Sequence, residues 1–233
     1  MASQEANMKE VFENPKSIFS TLSPEEKEDL RNNITLTFYK KNEFIFTEGE
    51  KPTGLLFLKE GKVIIYKEGV GGREQIIRMT KPLGLIGYRA LLAGEPHIGT
   101  AITNEDSMVC MVSHDYFYNK LLKNTAFSLR LLQTLSKELG FSNARTVNLT
   151  QKHIRGRLAE SLLLLKEKYG WENDGATLKV YLSRDDIANL SNMTSSNAIR
   201  TLSTFAGEKV IAIDGRKIRI LDIHKLEKIS RQG

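Results

Sequence analysis

The chain has 233 residues, 40% of them hydrophobic and 27% charged, an ordinary balance for a globular protein of one large or two small domains. No run approaches the ~18 uninterrupted apolar residues of a membrane span. The polar, mixed-charge start MASQEANMKEVFENP reads as neither a signal nor a transit peptide. The expected location is therefore the cytoplasm, with no membrane partner. Lys and Arg number 34 against 28 Asp and Glu, a net charge of +6 that favours an anionic partner, nucleic acid being the commonest. The excess is thin: residues 153–233 carry 14 basic and 10 acidic side chains, and the remainder 20 and 18.

Near the start, Ser23-Pro24-Glu25-Glu26 opens a short helix, with Ser23 as N-cap, proline at the first helical position and Glu26 closing a capping box. Short runs rich in β-branched and aromatic residues follow: ITLTFYK, FIFTEG, GLLFLKEGKVIIYKEG, EQIIRM and TAITNEDSMVCMVS. Glycine, proline, asparagine and aspartate separate them. Many short strands with evenly placed turns predict an all-β barrel or jelly roll over residues 1–123. The single cysteine, Cys110, lies in the strand-like SMVCMVS and is expected to be buried and inert. Alone it makes no internal disulfide and holds no iron–sulfur cluster.

Residues 124–151 read as one long helix. Leu132, Leu135, Leu139, Ser142, Thr146 and Leu149 alternate by three and four positions, as in a coiled-coil seam. Such a helix needs a partner along its apolar stripe. A second copy of the chain fits, with Leu132, Leu135, Leu139, Thr146 and Leu149 in the interface. Packing on the chain's own β-roll is the alternative.

Residues 152–233 read as α+β. An amphipathic helix over 152–168 stops at Gly170, a strand is expected at 178–182, and two helices follow. In VIAIDGRKIRILD, Asp214-Gly215 is expected to form a two-residue hairpin turn. Within LSRDDIANLSNMTSSNAIRTLSTFA, Ser183 and Asp186 make a capping box for the first helix. Asn192-Met193 breaks it, and Thr194 caps the second. Ala198, Leu202 and Phe205 can be buried on one side of that second helix. Ser196, Asn197, Arg200, Thr201 and Thr204 are assigned to the other. A packed back and a small polar front suit the major groove of double-stranded DNA. Arg200 can bond guanine bidentately and Asn197 can read adenine. Ser195, Ser196 and the free N–H groups at the helix start suit phosphates. Arg216 and Lys217, at the tip of the hairpin, would lie near the DNA backbone. An ordinary helical hairpin with a solvated polar face is the competing reading.

At this point the chain resembles the Crp/Fnr regulators over nearly its whole length, through EGEKPTGLLFLKEGKVIIYKEG, the glycine turn GLIGYRALLAGE, the long helix and LSRDDIANLSNMTSSNAIRTLS. GYRALLAGE and NMTSSNAIRTLS are similar to the branch common in Bacteroidetes. The resemblance implies an N-terminal double-stranded β-helix of the cyclic-nucleotide-binding type, a dimerisation helix and a C-terminal winged helix-turn-helix. It also implies a homodimer on a palindromic site, an effector in the roll, and RNA polymerase as a partner if the protein activates. Family members that bind cyclic AMP carry Gly-Glu-x-Gly and, later, Arg-Ser-Ala. Here Gly84-Leu85-Ile86-Gly87 replaces the glutamate with Leu85, and Gly99-Thr100-Ala101 replaces the arginine with Gly99. Loss of that charge-assisted pairing argues against cyclic AMP. The effector pocket is then expected around Gly84, Leu85, Gly87, Arg89, Thr100 and Ala101, with a positive charge supplied by Arg89 or Arg73 unless both lie on the surface. Ser142 and Asn143 align with base-contacting residues of the dimer helix, and point to a small polar effector or to register control. No cofactor is certain. Haem or gas sensing, with His97 or His153 as axial ligand, is the alternative sensory chemistry. A cupin-type enzyme needs a cluster of metal ligands that the roll does not spell, and no nucleophile–base grouping stands out, so no enzymatic activity is expected.

Overall fold

A computed structural model describes residues 2–233, and side-chain environments from Met8 onward. Two compact units emerge: the residues up to Lys67 with Ile77–Leu139, and Glu68–Ile76 with Gly140–Gly233. The division falls inside the long helix, whereas the segments read from sequence break at its two ends.

In the first unit, helices α1 (Ala2–Glu13) and α2 (Pro24–Asn32) precede the strands. Helix α2 begins with the expected capping box between Ser23 and Glu26. Helix α1 was not legible as structure, yet it buries Met8, Val11 and Phe12, which at positions i, i+3 and i+4 share one face. The strands are β1 (Ile34–Tyr39), β2 (Phe44–Phe46), β3 (Gly54–Glu60), β4 (Val63–Glu68), β5 (Glu74–Thr80) and β6 (Leu85–Ile86). After helix α3 (Tyr88–Ala93) come β7 (Thr100–Thr103), β8 (Ser107–Ser113) and helix α4 (His114–Asn119). They form two four-stranded sheets, ordered β1-β8-β3-β6 and β2-β7-β4-β5. This is the expected jelly roll, with the hairpin tip at 68–76 assigned to the second unit.

Strand periodicity places the core. Strand β3 sends Leu55 and Phe57 to one cluster and Leu56 and Leu58 to another, because successive side chains point to opposite faces. The inner cluster holds Phe46, Val63, Ile65, Ile86, Ala101 and Val109. The outer one joins the first sheet to the helices, with Phe19 at 4.8 Å from Phe57 and 5.9 Å from Phe127, ring centre to ring centre. Cys110 is fully buried there, as expected, and burial pushes its thiol up to about 12.

The long helix α5 covers Thr125–Gln151. Its first turns bury Phe127 and Leu131 in the outer cluster, and Leu135 packs partly against the same cluster. Leu132 and Leu139 stay 60% and 63% exposed.

The second unit contains α6 (Ile154–Tyr169), α7 (Arg184–Leu190), α8 (Ser195–Gly207), β9 (Ile211–Asp214), β10 (Lys217–Ile220) and α9 (Ile223–Gln232). Helix α6 ends on Gly170 at φ 73°, a left-handed position that glycine adopts without strain. The strand expected at 178–182 is absent: only single bridges, Trp171–Leu178 and Thr177–Arg219, form there. Leu178, Val180 and Leu182 are buried, so the apolar alternation reports burial, but the pairing stops early. Leu178 N donates to the Ile218 carbonyl at 2.9 Å and Lys179 N to the Gly170 carbonyl at 3.1 Å, and the bridges do not extend over 180–182. Among the described residues, no helix is long and apolar enough to cross a membrane.

Candidate DNA-binding face and effector cleft

Helix α7 starts where the sequence places it. The Ser183 hydroxyl accepts from Asp186 N at 3.0 Å, and Ser183 N donates to the Asp186 carboxylate at 2.9 Å. The helix stops at Ser191, and Asn192 turns the chain with φ 50°. Asparagine tolerates that conformation better than most residues. Thr194 then caps α8, its hydroxyl accepting from Asn197 N at 3.3 Å.

Helix α8 buries Ala198, Thr201, Leu202 and Phe205. Arg155 lies 5.1 Å over the Phe205 ring and pairs with Glu208 at 2.9 Å, and that contact holds the Glu208 carboxyl below its ordinary value. Ser196, Ile199, Arg200, Ser203 and Thr204 are exposed, and Asn197 is half-buried. Thr201, assigned to the polar front from its side chain, belongs to the packed back. It follows Ala198 by three positions and precedes Phe205 by four, which fixes its face. Ile199, 48% exposed, and Ser203 occupy the front instead, a placement the same arithmetic gives. Arg200 makes no ion pair among the described residues, so its guanidinium is available. The Ser195 hydroxyl donates to Asp185, which leaves its backbone N–H for an anion.

The β9–β10 hairpin differs by one residue from its sequence reading. Asp214 pairs with Lys217, so Gly215 and Arg216 form the turn, with Gly215 at φ 54°. Positive φ is needed at the first loop position, where glycine carries no Cβ penalty, and aspartate becomes the last strand residue. Arg216 and Lys217 are exposed. Arg184 donates to the Gly215 carbonyl at 2.8 Å, tying the turn to the start of α7.

In the first unit, a cleft of about 80 Å³ opens on the roll, lined by Phe46, Ile65, Ile77, Arg78, Arg89 and His97 among others. Gly87, in a left-handed conformation at φ 66°, lets two rings approach: a Cβ there would lie 2.7 Å from His97 Cε1 and 2.9 Å from Phe46 Cε1. Gly99 also lines it, and a Cβ at Gly99 would meet the Tyr66 carbonyl oxygen at 2.5 Å. No side chain larger than hydrogen fits at 99 on this backbone.

Of the pocket residues expected from sequence, Gly87 and Arg89 line this cleft. Leu85 points into the outer core and Ala101 into the inner one. Gly84 packs on Thr80, and the Thr100 hydroxyl accepts from Glu48 N at 3.1 Å. Ser142 and Asn143 are exposed on the second unit's part of α5, and Arg73 is exposed. Thr146 bonds back to the Ser142 carbonyl at 2.9 Å, and Leu149 lines a groove against α6. Among the described residues no group of His, Cys, Asp or Glu is arranged to hold a metal ion. His97, singled out in sequence only as a conceivable haem ligand, is the cleft residue that sequence reasoning otherwise missed.

The family model of the cyclic nucleotide-binding domain matches residues 36–124, and that of the Crp-like helix-turn-helix domain matches residues 156–229. Both domains occur in the order the roll and α7–α8 require. The chain belongs to the Crp/Fnr family. It is a DNA-binding transcription regulator of that type. Similar proteins include the CRP-like cAMP-activated global transcriptional regulator of Mycobacterium tuberculosis, 24% identical over 92% of this chain and 96% of that one. The probable transcriptional regulator flp of Lacticaseibacillus casei is 29% identical over 74% of this chain and 77% of its own. The structure of FixK2 from Bradyrhizobium japonicum shares the fold, with a TM-score of 0.74 at 23% identity, covering 84% of this chain and 96% of that one. The relatives named for a function are transcription regulators, not enzymes.

Proposed function

We propose that the regulator acts as a homodimer on a palindromic operator, under control of a small effector in the roll that is not cyclic AMP. The observation that carries the DNA half is α8: a packed apolar back, an exposed front of small polar residues, and an unpaired Arg200 at its centre. Arg200 bonds guanine, Asn197 adenine, and Ile199 lies against a thymine methyl. The N-terminal N–H groups of α8, at Ser195 and Ser196, take a phosphate, and Arg216 and Lys217 follow the backbone beside it. Exposed Leu132 and Leu139 support pairing of two α5 helices, since apolar side chains at seam positions are otherwise left in water. Leu135 and Leu149 are already partly engaged within the chain, so they contribute less to that seam than their spacing suggests. Leu85 and Gly99 speak against the cyclic-AMP chemistry in the Mycobacterium relative's name, because neither replaces the lost charge. The protein works in the cytoplasm, has no catalytic role, and meets RNA polymerase if it activates.

Selection of bound fragments from a random DNA pool tests this reading. A two-fold symmetric consensus with half-sites about one helical turn apart is expected, and an unenriched pool would sink it. Leu139→Asp converts the dimer to a monomer in light scattering if the seam is right.

A further inference from the structure

The effector's chemical class can be read from the roll cleft. His97 is 6% exposed, and its ring stacks on Phe46 at 3.6 Å and 8°. His97 lines the cleft, and its imidazole makes no hydrogen bond to another side chain among the described residues, which leaves its nitrogens for a ligand there. Burial holds His97 below its ordinary value, so the neutral ring offers one donor and one acceptor at neutral pH. Glu50, whose charge His97 feels, is exposed and already accepts from the Thr47 hydroxyl at 2.7 Å.

Two guanidiniums line the same cleft and differ in commitment. Arg78 donates to the Tyr88 hydroxyl at 2.9 Å and pairs with Glu138 at 2.8 Å. Arg89 meets Glu95 at 3.0 Å in a pair whose side chains are 44% and 57% exposed, the kind that solvent competes with readily. Arg89 can therefore exchange Glu95 for another carboxylate. The rest of the lining is apolar, with Ile65 buried and Ile98 standing 46% exposed at the wall. An apolar cavity of roughly 150 Å³ encloses benzene. The open cleft of about 80 Å³ therefore takes a head group and part of one ring or a short branched chain, with the rest of a larger ligand left outside it.

We propose that this cleft binds a small monocarboxylic acid with a compact apolar body, its carboxylate bridging His97 and Arg89 and its body lying against Ile65, Ile77 and Ile98. Planar bidentate pairing with a guanidinium suits a carboxylate, and water exclusion by the isoleucines strengthens it. The proposal rests on reading the roll as the sensory part of a DNA-binding regulator.

Calorimetric titration of the full chain with benzoate, isovalerate, benzamide and cyclic AMP tests it. At least one of the two carboxylates binds, and benzamide, the same ring without the charge, binds ~10-fold more weakly or worse. Arg89→Met lies on a half-exposed side chain and leaves the fold intact, and His97→Phe keeps the stack on Phe46. Each weakens carboxylate binding by ~10-fold or more with an unchanged melting temperature. The proposal is overturned if neither carboxylate binds, if Arg89→Met binds as well as the parent, or if cyclic AMP binds more tightly than both acids. DNA selection is measured separately. Selection without carboxylate binding sinks only the effector class, whereas carboxylate binding without selection sinks the regulator's mode of action and leaves the site standing.

Discussion

The DNA-binding face and the roll cleft are built by opposite means. The first is one short stretch, residues 183–217, in which caps, a turn and a hairpin follow each other and every side chain proposed to meet DNA sits on α8 or the wing. The second is drawn from segments far apart in the chain: Phe46 on β2, Ile65 on β4, Ile77 and Arg78 on β5, the turn at Gly87, and His97. A site on one helix is specified by periodicity and capping chemistry, both of which are local. A site between strands is specified by which strands pair, and pairing is not local. The DNA-binding face accordingly tolerates reasoning from spacing, while the cleft becomes visible only once the sheets are closed.

Four substitutions probe that contrast. The largest effect is expected for Phe205→Ala, which empties the packed back of α8 and destabilises the second unit by ~3–5 kcal/mol. Calorimetry should show an early transition for that unit while the roll melts where it did. A single displaced transition would mean that the two regions unfold together and are not separately specified. Arg200→Ala comes next, lowering affinity for the selected operator by ~1–3 kcal/mol and relaxing preference at one base pair per half-site. Equal loss on all sequences would move Arg200 from base to phosphate. Ser183→Ala removes one arm of the capping box and should cost the second unit ~1 kcal/mol in thermal or urea unfolding. Benzoate or isovalerate binding in the roll should not change with it. The smallest effect is expected for Lys217→Ala, which should weaken all DNA alike and reduce the slope of log affinity against log salt by about 1. An unchanged slope would take Lys217 off the DNA backbone.

Much of the architecture was legible. The capping boxes at Ser23 and Ser183, the helix end at Gly170 and the long α5 all come from short-range chemistry that survives in any tertiary setting. Where reading and structure part, the reason is physical. Thr201 was placed by its hydroxyl rather than by helical angle, yet a threonine methyl packs readily beneath a helix. The wing turn shifted by one residue because glycine, not aspartate, must take the positive φ. Residues 178–182 carry a strand's apolar alternation, but their pairing is limited to single bridges at the start of the run. Helix α1 went unread because Met8, Val11 and Phe12, the buried ones among its described side chains, stand in a mostly polar sequence.

Local sequence alone determined the order of roll, long helix and helix-turn-helix, the limits of most helices and most of the exposed front of α8. Those features depend on contacts within a few residues, where capping and periodicity act. Tertiary structure alone decided that Leu85 and Ala101 are core, that Leu135 leans on the roll while Leu139 does not, and that His97 and Arg89 line one cleft. Those outcomes depend on which distant strands share a face, and the chain fixes that only by folding.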